Sequence, residues 1–177
     1  MFKFISEECK EAYEFYQKEL SNFETVMKDT NNNLITADED VYNCMSYAFG
    51  VFDDWLGLDT FDLSFAEDNT VDDIDYELLN NIFFACCNEI EDNFNVRRLI
   101  NSIAPIEEDE RIIAFRIGAN DFHFARKNSD GTWTHKPGCG YIREMPEEEL
   151  FSEAWCANSR TYPYISEIAF FAVKIEE

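Results

Sequence analysis

The sequence predicts an α+β fold in which N-terminal helices, one of them starting at Cys44, pack on a mainly antiparallel sheet. Three observations lead there. As far as Ile90 the apolar residues recur at steps of three and four, the spacing of one helix face. From Arg111 the pattern changes to short runs of strand-forming residues, and Asn128-Ser129-Asp130-Gly131 supplies a hairpin turn between two of them. The 177 residues fit a single domain, residues 1–177, without an internal repeat. That length buries a core without metal or disulfide staples.

The first helix is read from Ser6 to Met27, where Cys9, Ala12, Tyr13, Tyr16, Leu20, Phe23 and Met27 form one stripe after glutamates in the first turn. Lys28 to Asp40 contains Asp29-Thr-Asn-Asn-Asn33 and reads as a loop. A second helix runs from Cys44 to about Trp55, capped by Asn43 or Asp40 and stopped at Gly57. Between Asp59 and Asp75, carboxylates surround Phe61, Leu63, Phe65 and Val71, a loop with one short strand. A third helix then turns Tyr76, Leu79, Phe83, Cys87 and Ile90 inward.

Arg111–Ile117, Asp121–Arg126 and Thr132–His135 form a β-meander. Pro146 with three glutamates opens a fourth helix through about Cys156, and Glu167–Val173 is a last strand. The turn favours a three-residue loop, Ser129 to Gly131, with Gly131 left-handed, so that Asn128 faces Thr132 and Ala125 faces His135. On that register His123 and His135 share a face as diagonal neighbours, roughly 7–8 Å apart at the α-carbons. A register shifted by one residue separates them.

Composition narrows the functional classes. Seventeen Phe, eight Tyr and three Trp mark a folded protein with a Phe-rich core. A formal charge of −23 repels phosphate backbones and anionic headgroups, so neither direct nucleic-acid binding nor membrane binding is expected. It favours basic protein or peptide partners, and in its simplest role it keeps the chain soluble. Six cysteines without a C-x-x-C pair read as reduced thiols. With no signal-peptide core and no spanning run, the expected location is cytosolic, in a bacterium or in the host cell of a viral gene. P-loop, dinucleotide, nucleophile-elbow and kinase signatures are absent from the sequence.

The chemistry-bearing constellation is Cys44 at a helix start with His123 and His135 on the two arms of the hairpin Asp121–Pro137. A helix N-terminus and an imidazole both favour a thiolate, which is the nucleophile of acyl transfer. With Phe122 and Phe124 assigned to the core, His123 is expected to look toward the helices and Cys44 to lie on its side. Cysteines on apolar helices more commonly serve as small core residues. His123, His135, Cys139 and Cys156 offer a zinc alternative that lacks a second close pair, so no metal and no organic cofactor is expected. Carboxylate pairs such as Asp53-Asp54 and Asp72-Asp73 occur by chance among 37 acids.

Asn43-Cys44-x-x-Tyr47-Ala48, together with Asp121-Phe-His-Phe-x-Arg126 and Asp130-Gly-Thr-Trp-Thr-His135-Lys-Pro-Gly138, resembles a scarcely characterised set of bacterial, phage and shell-matrix proteins. That set is similar to the papain-like superfamily, including cell-wall peptidases and amidases. The resemblance implies a papain-like fold with Cys44 as nucleophile, His123 as base and His135 as the orienting residue. It covers about half the chain. Ala125 departs from the aromatic residue often found at its place. The expectation is a thiol hydrolase or acyltransferase acting on an amide or isopeptide bond of a protein or peptide. The rival expectation is an acidic, non-catalytic interaction protein, a phage or mobile-element inhibitor or DNA mimic that binds a basic or nucleic-acid-binding host protein.

Overall fold

A computed structural model describes residues 27–28, 34–35, 42–52, 54–62, 75–119, 121–137, 142–155 and 163–175. Strands β1 (Met27–Lys28) and β2 (Leu34–Ile35) pair with each other, where the sequence led us to expect the end of a helix and a loop. Residues 6–26 of that expected helix lie outside the described residues. The main sheet contains β3 (Val96–Leu99), β4 (Glu110–Ile117), β5 (Phe122–Lys127), β6 (Trp133–His135), β7 (Arg143–Glu144) and β8 (Ala169–Lys174). Its order is β3-β8-β4-β5-β6-β7, and every pairing is antiparallel.

Helix α1 (Cys44–Phe49) is set by its ends. The Asn43 side-chain oxygen accepts from the Ser46 N–H at 2.9 Å and from the Ser46 hydroxyl at 3.0 Å, the N-cap arrangement. Gly50 takes φ +82°, and the N–H groups of Gly50 and Val51 turn back to the carbonyls of Tyr47 and Ser46. The helix therefore stops well short of Trp55. A residue with a Cβ is strained at that φ. Gly50→Ala is expected to cost about 1–2 kcal/mol in urea unfolding through the backbone alone, since the new Cβ would meet only Arg111 at ordinary contact distance, 3.5 Å.

Helix α2 (Asp59–Asp62) forms at the start of the expected loop, where the Glu89 carboxylate accepts the N–H groups of Asp59 and Thr60; residues 63–74, the rest of that loop and its expected strand, lie outside the described residues. Helix α3 (Tyr76–Asn93) is capped by Asp75 and buries Leu79, Ile82, Phe83, Cys86, Cys87 and Ile90. Tyr76, expected inside, is exposed. Helix α4 (Glu147–Leu150) is a single turn rather than a helix reaching Cys156. Among the described residues no helix is long and apolar enough to cross a membrane.

The sheet has a different core on each face. Helices α1, α2 and α3 cover one face, where Cys44, Met45, Phe83, Phe115, Phe122 and Phe124 pack together. Trp133, Trp155, Tyr164, Phe170 and Ala172 cover the other. Strand β4 is consequently buried on both sides and reads as a nearly continuous apolar run.

Candidate functional site

The hairpin between β5 and β6 has the register that its turn demands. Gly131 sits at φ +89°, the Asn128 N–H donates to the Thr132 carbonyl at 2.8 Å, and Ala125 pairs with His135. Asp130 braces the loop by accepting from the Thr132 N–H and hydroxyl, which holds its carboxyl below the usual carboxylate range. His123 and His135 thereby meet on one face. Nε2 of His123 lies 2.8 Å from Nδ1 of His135, with the rings nearly perpendicular.

Both imidazoles are buried, His123 at 1% exposure and His135 at 0%. Tyr164 stacks on His123 with ring centroids 5.2 Å apart, Trp155 presents an edge contact at 6.1 Å, and the Tyr164 hydroxyl donates to Asp121 at 2.8 Å. Arg116, the cross-strand partner of His123, spends its guanidinium on three carbonyls: those of Ser166 at 2.6 Å, Ser152 at 2.9 Å and Glu153. It also stands over the Trp155 ring. These contacts hold the Trp155–Tyr164 bridge against the histidine pair.

Burial dominates the electrostatics. It pushes His123 down to about 3, with Arg143 adding to the effect, and lowers His135 in the same direction, with His123 and Arg143 contributing. Both rings are neutral near pH 7. With one nitrogen protonated on each ring, a consistent tautomer pair has Nε2–H of His123 donating to Nδ1 of His135.

Cys44 opens α1 and follows its Asn43 cap, as the sequence led us to expect. Its placement relative to His123 differs from expectation. Phe122 and Phe124 are core, but theirs is the face that the helices cover; His123 points to the opposite face, toward Tyr164 and Trp155. The physical reason is ring packing: Phe122 meets Phe61 of α2 and Phe124 meets Phe49 of α1. The Cys44 thiol donates instead to the Phe122 carbonyl at 3.8 Å, beside the peptide that leads into His123. The structure thus joins His123 to His135 and brings Cys44 to the start of β5, with its hydrogen bond on the backbone rather than on an imidazole.

Burial pushes the Cys44 thiol up to about 12, Asp121 adds to the rise, and hydrogen bonds from Phe124 and Met45 and the charge of Lys136 oppose it. Desolvation outweighs the helix start and the nearby cation.

Several residues around the site were not singled out from sequence. Arg126 lies 4.4 Å over the Tyr47 ring and donates to the Tyr47 carbonyl, while the Tyr47 hydroxyl shares a 2.7 Å hydrogen bond with Thr134. These contacts tie α1 to both arms of the hairpin and so fix Cys44. Lys136 is buried with its ammonium 4.9 Å over the Tyr42 ring. The hairpin register held a signal for Arg116, which it places opposite His123. The distant partners Trp155 and Tyr164 had none. Of the zinc alternative, Cys139 and Cys156 lie outside the described residues. Among the described residues no group of three His, Cys, Asp or Glu side chains is placed to hold a metal.

A family model described as Domain of unknown function (DUF7689) matches residues 33–162. No curated protein and no solved structure matches the chain.

Proposed function

The chain belongs to this domain-of-unknown-function family, DUF7689, whose model takes in the Cys44 helix and both histidines, and from that premise we propose that it is a papain-like thiol hydrolase or acyltransferase acting on an amide or isopeptide bond. The observation that carries the reading is the 2.8 Å bond between His123 Nε2 and His135 Nδ1. In the tautomer pair in which Nε2–H of His123 donates, Nδ1 of His123 is the nitrogen for proton transfer. Cys44 begins a capped helix and reaches the carbonyl preceding His123.

In the proposed reaction the start of β5 opens, and the Cys44 side chain leaves the Phe122 carbonyl, passes to the face of the sheet that holds His123 and gives its proton to Nδ1 of that imidazole. The thiolate adds to the substrate carbonyl, and the tetrahedral adduct collapses to a thioester as the amine departs with that proton. Water, or a second amine in the transferase case, then attacks the thioester. His123 takes the proton of the attacking group and returns it to the Cys44 sulfur. The resting pair is a neutral thiol and a neutral imidazole, so activation is by general base at the moment of attack.

The second reading is a non-catalytic, acidic interaction protein, favoured by the burial of Cys44, His123 and His135 together. Cysteine alkylation separates the two. Iodoacetamide modification of each cysteine, followed by mass spectrometry from pH 5 to 9, has an internal control in Cys87, whose buried thiol is also pushed up to about 12. The enzyme reading expects Cys44 to react at least about tenfold faster than Cys87 and to lose that advantage in His123→Ala. Equal, slow reaction of both thiols discards the enzyme reading. Once a substrate is found, Cys44→Ala should abolish turnover while leaving the unfolding midpoint nearly unchanged.

A further inference from the structure

The connection from β3 to β4, residues 100–109, displays apolar side chains where a loop ordinarily presents polar ones. Ile100 is 92% exposed, Ile103 80% and Ile106 39%. The loop is nevertheless firmly built. The Ile103 N–H donates to the Asn101 side chain, the Lys127 ammonium to the Ser102 carbonyl and the Arg97 guanidinium to the Pro105 carbonyl. The Glu107 N–H donates to the Glu110 carboxylate at 2.8 Å, and Ala104 packs against the core beneath.

We propose that residues 100–108 form a docking surface for a protein partner that presents an apolar face flanked by lysine or arginine. The apolar face follows from the isoleucines, since exposed apolar groups on a fixed scaffold mark contact surfaces and preorganisation lowers the entropy lost on binding. The basic flank follows from charge. Asp109 is paired with Lys174 and Glu110 with Arg97, whereas the exposed Glu107 and Glu108 make no ion pair among the described residues. A net charge of −23 works against a second copy of the chain and against an anionic bilayer as the occupant. The surface is separate from the histidine pair, and the proposal stands whether or not Cys44 is a nucleophile.

The test titrates the isotopically labelled full chain with an amphipathic helical peptide of leucine and lysine, with a leucine–glutamate peptide of the same pattern as control. The leucine–lysine peptide is expected to shift the amide resonances of residues 100–108 selectively. Ile100→Ser with Ile103→Ser should weaken it at least about tenfold at an unchanged unfolding midpoint, and Glu107→Lys with Glu108→Lys should lower its salt dependence. The proposal is overturned by absence of binding up to about 1 mM, by shifts spread over the acidic surface, or by binding that survives the serine pair. Self-association lost in the serine pair would assign the loop to a second copy, and binding to phosphatidylserine vesicles would assign it to a membrane; either result also overturns it.

Discussion

Lowering the pH from 7 to 5 is expected to remove about 2 kcal/mol of folding stability through His123, with a further loss in the same direction through His135. An unfolded histidine takes up its proton near pH 6.5, whereas burial keeps His123 neutral down to about 3 and lowers His135 in the same direction. The sign follows directly. Above pH 6.5 neither state binds the protons, and the full stability is present. As the pH falls from 6.5 toward 3, the unfolded chain gains protons that the native chain refuses, so stability is lost across that window. Urea unfolding at pH 7, 6 and 5 should give a slope that exceeds one proton and falls by about one proton in His123→Asn. A flat response between pH 7 and 5.5 would mean that the imidazoles are solvated in the native state.

Replacing Arg116 by Met should cost about 3–5 kcal/mol, among the largest effects of any single change outside the aromatic core. The side-chain volume is nearly kept, so the loss is that of the guanidinium: the carbonyls of Ser152, Glu153 and Ser166 all lose their donor, and the Trp155 ring loses the cation over it. Those carbonyls belong to the segments that carry Trp155 and Tyr164 over His123. The same variant should therefore expose the imidazoles, and diethyl pyrocarbonate should modify His123 at least about tenfold faster than in the wild type. Unchanged modification with lowered stability would show that the aromatic contacts hold the cover without the guanidinium.

Local signals in the sequence carried much of this architecture. Asn-Ser-Asp-Gly contains its own geometry, a left-handed Gly131 and a carboxylate that braces it, so the hairpin register and the meeting of His123 with His135 were readable before any tertiary information. The Asn43 cap was readable for the same reason. What failed depended on distant partners. Helix α1 has an apolar continuation to Trp55, and only the left-handed turn at Gly50 decides that it ends. Strand β3 was missed because Arg97 and Arg98 interrupt its alternation, and their carboxylates, Glu110 and Glu91, come from elsewhere in the chain. The side on which the helices pack was misjudged because alternation along β5 separates two faces without saying which one receives a layer. The ring contacts of Phe122 with Phe61 and of Phe124 with Phe49 answer that question.

The three residues between Asn128 and Thr132 amount to a parity rule. Side chains on a strand alternate, so with that loop length kept, one residue gained or lost between Thr132 and Thr134 would shift the pairing by one, turn His135 toward the helices and bring Thr134 to the face of His123. The backbone would look nearly the same and the imidazole pair would be gone. Relatives of this chain that keep the three-residue turn can therefore be sorted by counting: an even change in the interval from His123 to His135 preserves the shared face, and an odd one, unless a bulge absorbs it, marks a protein that has given up whatever the two rings do together.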